Sequence, residues 1–242
     1  MNRLILFIAA SIVFASCDYI GGRRISGNGN VSTESRPLTG FTGIRVGGAV
    51  DVVVTQDSAF GVKVETDENL QQYYETYVED GMLRIREVRN MNPRPSRKTI
   101  VHVSAPELRN FGVSGACSVK STNRLRSGET ILVDISGASD ADLVLDAPAV
   151  AVELTGASSA DLKGQTQTLT IKGSGSSDVN AYDLLSENTE VRLSGVGSAE
   201  VHASLKLEAK TSGAAHIRYR GSPSLNSSIS GAGSVKQVSA NE

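Results

Sequence analysis

The sequence predicts an all-β chain built as a single right-handed parallel β-helix. Three observations predict it: glycine corners recurring at near-regular intervals, alternating apolar residues on both sides of each corner, and an almost complete lack of helical periodicity. The corners are Ser114-Gly115, Ser136-Gly137, Thr155-Gly156, Lys172-Gly173, Ser194-Gly195, Ser212-Gly213 and Ser230-Gly231, with steps of 22, 19, 17, 22, 18 and 18 residues. Such a period suits coils of stacked strands, because helix-pair repeats run to about 33 residues or more. Glycine is needed where the chain turns at positive φ or where a side chain would strike the next coil.

Taken in order, the chain opens on a processing signal. Asn2-Arg3 precede an apolar run from Leu4 to Ala15 broken only by Ser11. That run is too short for the roughly 20 residues of a spanning helix and reads as a secretory signal over residues 1–16. Phe14-Ala15-Ser16-Cys17 matches a bacterial lipobox, so the mature chain is expected to begin at a lipidated Cys17. Residues 17–40 carry Gly21-Gly22 and Gly27-Asn28-Gly29-Asn30 without periodicity, and are expected to form a flexible tether. A β-helix domain is expected over residues 41–238, with a short tail at 239–242.

Ile44 and Val46, then Val50, Val52 and Val54, then Val62 and Val64 alternate at period two, as half-buried strands do. Asp67 to Tyr74 fits a single helical turn. Asp80-Gly81, between Thr76–Glu79 and Met82–Ile85, is the dipeptide of a two-residue hairpin, whose central positions take positive φ. Ile100–Val103 forms a further strand closed by Pro106.

Beyond Leu108 each coil repeats one grammar. An alternating strand approaches the corner, as in Ile131-Val133-Ile135 or Val150-Val152-Leu154. After the corner a second strand begins, with Val119, Leu143, Leu162, Val179, Val201, Ile217 or Val235 as its inward knob. Stacked about 4.8 Å apart, such coils pair every backbone group between them and build continuous apolar ladders.

The signal and lipobox, the segment Phe41-Thr42-Gly43-Ile44-Arg45-Val46-Gly47-Gly48-Ala49-Val50-Asp51-Val52, the pair Asp67-Glu68-Asn69-Leu70 and Val78-Glu79-Asp80-Gly81, and the Ser-Gly corners together resemble the head GIN domain family of Bacteroidetes, DUF2807, also called the auto-transporter adhesin head domain. The resemblance spans about residues 41 to 236. It implies a right-handed β-helix on an envelope lipoprotein and brings no catalytic residues with it.

Composition narrows the chemistry. The chain has 242 residues, a net charge of −2, no Trp and two cysteines. Near-neutral charge gives no general attraction to nucleic acid. With Cys17 acylated, Cys117 has no disulfide partner and reads as an inert small residue in a tight turn. His102, His202 and His216 lack short ligand spacing, so no metal site and no cofactor is expected.

The sharpest chemical signal is a polar residue just before each second-strand knob: Asp142, Asp161, Asp178 and Glu200, with His216 in the next coil. If aligned, they form an acidic ladder on one outer face, able to recruit a divalent cation weakly or to meet a surface ligand. The plainer reading is a hydrated stripe that discourages aggregation. Paired carboxylates also serve sugar hydrolysis, but this ladder is regular rather than convergent. A basic stretch, Arg84, Arg86, Arg89, Arg94, Arg97 and Lys98, offers a second contact for an anionic glycan or headgroup, and Tyr73, Tyr74 and Tyr77 are placed to cap the N-terminal end of the ladder. The expected function is therefore non-enzymatic: an envelope or cell-surface lipoprotein, anchored in the outer membrane through its lipid and presenting a β-helix to a glycan or protein ligand. The rivals are a structural or assembly role in the envelope and a polysaccharide-active enzyme.

Overall fold

The computed structural model describes residues 22–239. The signal segment and Cys17 lie outside them. The N-terminal part holds β1 (Arg23–Ser26), β2 (Val31–Arg36), β3 (Gly43–Gly48), β4 (Val50–Gln56), β5 (Gly61–Asp67), a 3-10 turn (Glu68–Tyr73), β6 (Tyr74–Glu79), β7 (Met82–Glu87), β8 (Met91–Arg94) and β9 (Thr99–Ala105). The repeat follows as β10 (Asn110–Gly115), β11 (Ser118–Arg126), β12 (Ile131–Gly137), β13 (Asp140–Gly156), β14 (Ser159–Gly175), β15 (Asp178–Ala181), β16 (Leu184–Gly195), β17 (Ser198–His202), β18 (Lys206–Gly213), β19 (His216–Arg220), β20 (Ser224–Gly231) and β21 (Ser234–Gln237). Stacked parallel pairs make this a β-solenoid of about 7 turns. The helical turn and the Asp80-Gly81 hairpin stand where expected, the latter with φ of 52° and 72°.

Between β13 and β14 the register holds from Asp140↔Ser159 to Gly156↔Gly175, a constant step of one coil. Only Pro148 and its counterpart Gln167 drop out, at the bend on the far side of the coil from the glycine corner. Proline has no N–H to give the ladder, and a bend is where that loss is harmless.

The glycine corners shift from expectation in one coil. Gly156 pairs with Gly175, not Gly173, and Gly173 is an inward position between Leu154 and Leu193. Two glycines two residues apart have the same parity along a strand, so spacing alone did not separate them. With Gly175 the steps become 22, 19, 19, 20, 18 and 18. An eighth corner, Gly48, stacks beneath Gly115.

These eight glycines all take φ between +82° and +105°. Each corner carbonyl accepts an N–H from the residue after the next corner glycine, as in Ala157 N–H to Gly137 O at 2.8 Å and Ser176 N–H to Gly156 O at 2.7 Å. A Cβ on a corner glycine would stand 2.4–2.7 Å from the carbonyl of the corner below it, from Gly115 through Gly231. Positive φ and close approach therefore both demand glycine.

The inward knobs also redistribute. All seven face inward, but they fall in two adjacent rows. Val119, Ala141, Ala160, Val179, Ala199, Ile217 and Val235 stack in one. Leu143 stacks on Leu162, and Ala181, Val201 and Tyr219 continue along the neighbouring row. Because alternate residues share a face, choosing the largest apolar residue after each corner hops between rows.

The N-terminal part departs most from expectation. The first coil, β3 and β4, is sandwiched: β10 and β11 lie above it, and β7 and β9 lie below. After β4 the chain descends, builds the layer beneath, then climbs past its own first coil. In that layer β9 pairs antiparallel with β5, and β7 with β6. The stretch expected as a tether is, over its described part, two paired strands: β1 on β8, and β2 antiparallel on β5. Its Gly-rich, aperiodic sequence hid this because edge strands need only backbone partners and one anchor. That anchor is Asp67, 0% exposed, which accepts Gly29 N–H at 2.7 Å, Ser96 N–H at 2.7 Å and Ser96 Oγ–H at 2.8 Å. Tyr74 is buried in the core and Tyr73 packs against it, closing this end.

Candidate functional site

The solenoid turns every outward position into a row with one residue per coil, about 4.8 Å apart. Two rows run beyond the glycine corner. The first reads Asp51, Ser118, Asp140, Ser159, Asp178, Ser198, His216, Ser234. Acid and hydroxyl alternate, and each serine donates to the acid below it: Ser118 Oγ to Asp51 at 2.7 Å, Ser159 Oγ to Asp140 at 2.5 Å, Ser198 Oγ to Asp178 at 2.6 Å. Alternation sets the carboxylates two coils apart, where their repulsion is weak and a hydroxyl lies between them. At the far end His216 Nδ1 lies 2.9 Å from Ser234 Oγ.

The second row reads Lys120, Asp142, Asp161, Asn180, Glu200, Arg218, Lys236. Lys120 Nζ is 2.8 Å from Asp142, and the Asp142 carboxylate holds the lysine pKa above its usual value. Asn180 donates to Asp161 at 2.9 Å, and Arg218 to Glu200 at 2.9 Å.

The expected acidic ladder is thus divided. Asp142 and Asp161 are neighbours, Asn180 separates Asp161 from Glu200, and Asp178 and His216 belong to the other row. Asp142, Asp161 and Glu200 stand five residues past their corners, Asp178 and His216 three past theirs, so the parity is shared and the row is not. Among the described residues no group of three or more His, Cys, Asp or Glu side chains is disposed to hold a metal ion.

On the face before the corner, a row missed at the sequence level runs Asp134, Glu153, Lys172, Arg192, Lys210, Ser228. Two residues further along the same face stand Ser136, Thr155, Ser174, Ser194, Ser212 and Ser230. Three cations over three coils beside a hydroxyl row line a shallow groove of about 540 Å³. Arg192 pairs with Glu190 and Lys210 with Glu208 at 2.6 Å, whereas Lys172 has no acid partner among the described residues. The only signal in the sequence was a cation recurring three residues before the corner glycine, as Lys172, Arg192 and Lys210 stand before Gly175, Gly195 and Gly213, visible once coils are aligned on Gly175.

Half of the basic stretch is paired within the chain, Arg84 with Glu79 at 3.2 Å, Arg86 with Glu75 at 2.8 Å and Lys98 with Asp51 at 3.0 Å. Arg86 also lies over the Tyr77 ring at 5.3 Å. Cys117 is 2% exposed, and burial pushes its thiol above the ordinary range, which makes it a poor nucleophile. His102 meets Glu65 at 3.2 Å, far along the chain fold from His202 and His216.

The family model described as "Putative auto-transporter adhesin, head GIN domain" (DUF2807) matches residues 40–223. The chain belongs to this family. Solved structures share the head GIN fold seen here. A "putative adhesin" from Bacteroides fragilis NCTC 9343 superposes with a TM-score of 0.82 at 22% identity, covering 88% of this chain and 100% of that one. A "putative lipid binding protein" from Parabacteroides distasonis ATCC 8503 gives 0.72 at 23% identity, over 90% and 100%. A "putative adhesin" from Parabacteroides merdae ATCC 43184 gives 0.71 at 20% identity, again over 90% and 100%. No curated protein sequence matches the chain significantly. Among the described residues of this head GIN chain, no helix is long and apolar enough to cross a membrane.

Proposed function

We propose that this head GIN protein is a non-enzymatic lipoprotein of the cell envelope, anchored through Cys17 and presenting its lateral β-helix faces to an extended glycan or protein ligand. The observation that carries the reading is the row geometry: Lys172, Arg192 and Lys210 repeat at one strand spacing beside Ser174, Ser194 and Ser212. A polymeric ligand lying across the strands meets the same cation and hydroxyl at each step. Weak contacts then add along its length, as they do on solenoid binding faces. The family description and the adhesin names of structural relatives agree with this role.

The reading is tested by binding the chain from residue 18 onward to a glycan array and to envelope preparations, alongside Lys172→Glu. Reversal of the unpaired charge is expected to lower any binding by roughly tenfold, since charge reversal at a contact costs on the order of 1–2 kcal/mol. Binding that is indifferent to Lys172 removes this face as the site. The anchor is tested separately: Cys17→Ser should release the protein from membranes or leave its signal uncut, and unchanged partition and mass would refute lipidation.

A further inference from the structure

The two ends of the solenoid are not equivalent. At the N-terminal end β7 is paired on both sides, by β3 and β6, and β9 by β4 and β5. The outermost strands there are antiparallel and charged: β6 carries Glu75 and Glu79, and β2 carries Glu34 and Arg36. Charged edge strands discourage further pairing. At the other end β20 pairs only with β18, and β21 only with β19. Among the described residues no strand pairs with their second edges.

The same coil leaves its core uncovered. Leu225 stacks on the fully buried Leu207 yet is 43% exposed, and Ile229 stacks on the buried Thr211 yet is 48% exposed. Val235 over Ile217 is likewise only partly covered. From Gly221 to Val235 there is no Asp, Glu, Lys, Arg or His, and the single Pro223 precedes β20 instead of interrupting it. An open edge with apolar knobs and a single charge, Lys236 near its end, is a pairing surface.

We propose that this end binds a second copy of the chain, end to end, through β20 and β21 across a two-fold axis lying in the end plane. The closed N-terminal end decides the occupant's orientation. Head-to-tail stacking would set this edge against β2 and β6, which are also paired on one side only but carry Glu34, Arg36, Glu75 and Glu79, charges that discourage pairing. A two-fold axis brings the same patch against itself with strand directions reversed, so antiparallel hydrogen bonds form and the association closes at two copies. The absence of charge over Gly221–Val235 means that no like charges meet across most of that contact. Because β1 begins in the N-terminal layer, with Arg23 N–H bonded to Asn90 O at 2.9 Å, the first described residues of the two copies lie at opposite ends of the pair. Resting on the lipid-anchor reading above, the pair joins copies held in two facing membranes.

Sedimentation velocity of the chain from residue 18, which keeps every described strand, tests the interface without any anchor. At about 50 μM, suited to a micromolar dissociation constant, a dimer is expected. Ile229→Lys should weaken it roughly tenfold or more by placing two charges in the contact. Val196→Lys, at a lateral corner where Val196 is 62% exposed, should leave it intact. Should Ile229→Lys also disturb the last coil, concentration-dependent hydrogen exchange in unmutated β20 gives the same answer: its amides should slow between 1 and about 50 μM. A monomer with unchanging β20 exchange, growth into longer chains, or dissociation by Val196→Lys in place of Ile229→Lys each overturns the proposal. For the facing-membrane arrangement, the chain from Cys17 is coupled through that thiol to maleimide-lipid vesicles, Cys117 being buried. Vesicles should cluster with the parent and not with Ile229→Lys. A chain that dimerises in solution but leaves vesicles dispersed would overturn the arrangement and leave the interface standing.

Discussion

The N-terminal layer and the C-terminal coil solve the same problem differently, since both terminate a stack of strands that would otherwise expose its core. The first is closed by particular side chains drawn from distant positions. Asp67 holds Gly29 and Ser96, and the buried Gln71 amide donates to Ser32 O and Val64 O at 3.0 Å each. The last described coil is tied more lightly, by Gln237 Nε2–H to Gly221 O at 2.7 Å and His216 to Ser234 at 2.9 Å on exposed surfaces, and otherwise repeats the grammar of its neighbours. A closed end thus depends on a few irreplaceable polar groups, whereas the repeat depends on register, and an open end depends on what pairs with it.

The largest effect is expected at the closed end. Desolvation pushes the Asp67 carboxyl up, but the donors of Ser96 and Gly29 outweigh it and hold the group below its ordinary value. Asp67→Ala would take the shared acceptor from two part-buried backbone donors and a hydroxyl, three charge-assisted bonds, a loss of about 3–5 kcal/mol in denaturant titration. Because the folded pKa is depressed, the contribution of Asp67 is present above the unfolded value near ~3.9 and disappears as pH falls through the folded one. Asp67→Asn should therefore blunt acid unfolding. If Asp67→Ala were as stable as the parent, the closed end would not rest on this carboxylate.

Within the stack, Val179→Asp sets a carboxylate between Ala160 and Ala199, at an expected cost of about 3 kcal/mol or more. Its outward neighbour behaves otherwise. Asp178→Ser loses the Ser198 N–H and Oγ–H bonds, at 3.0 and 2.6 Å, on an exposed surface, and should cost about 1 kcal/mol or less. Equal losses would contradict the assignment of inside and outside.

A smaller contrast probes the corners. Gly175→Ala combines φ of +87° with a Cβ 2.6 Å from the Gly156 carbonyl and should cost about 2–3 kcal/mol. Gly173→Ala meets only the flexible tip of Leu193 at 2.7 Å without positive φ, and should cost about 1 kcal/mol. The reverse order in thermal melts would restore Gly173 to the corner.

The solenoid was legible because its signals repeat: Ser-Gly corners and period-two apolar residues recur until their sum leaves one reading. Row identity was not, since a parity of two admits Gly173 or Gly175, Asp178 or Asn180, Val179 or Ala181 with equal ease. Only inter-coil hydrogen bonds decide among them. Gly48 escaped notice because its partner coil lies far along the chain, Asp51 and Ser118 being 67 residues apart. The strands of residues 23–36 were illegible for a different reason. Their order comes from Asp67 and from the backbone of β5 and β8, and nothing within the segment announces it.

Hydrogen exchange resolved along the chain at about 1 μM, below the expected dimerisation range, addresses the difference between the ends most directly. Amides of β5, paired on both edges by β2 and β9, and the β2 amides bonded to β5 should exchange slowly, close to those of β13, β14 and β16, while β20 exchanges fastest of the long strands because one edge and its core are open. Exchange of β2 at the rate of a free chain, together with a β20 as protected as β14, would contradict the account.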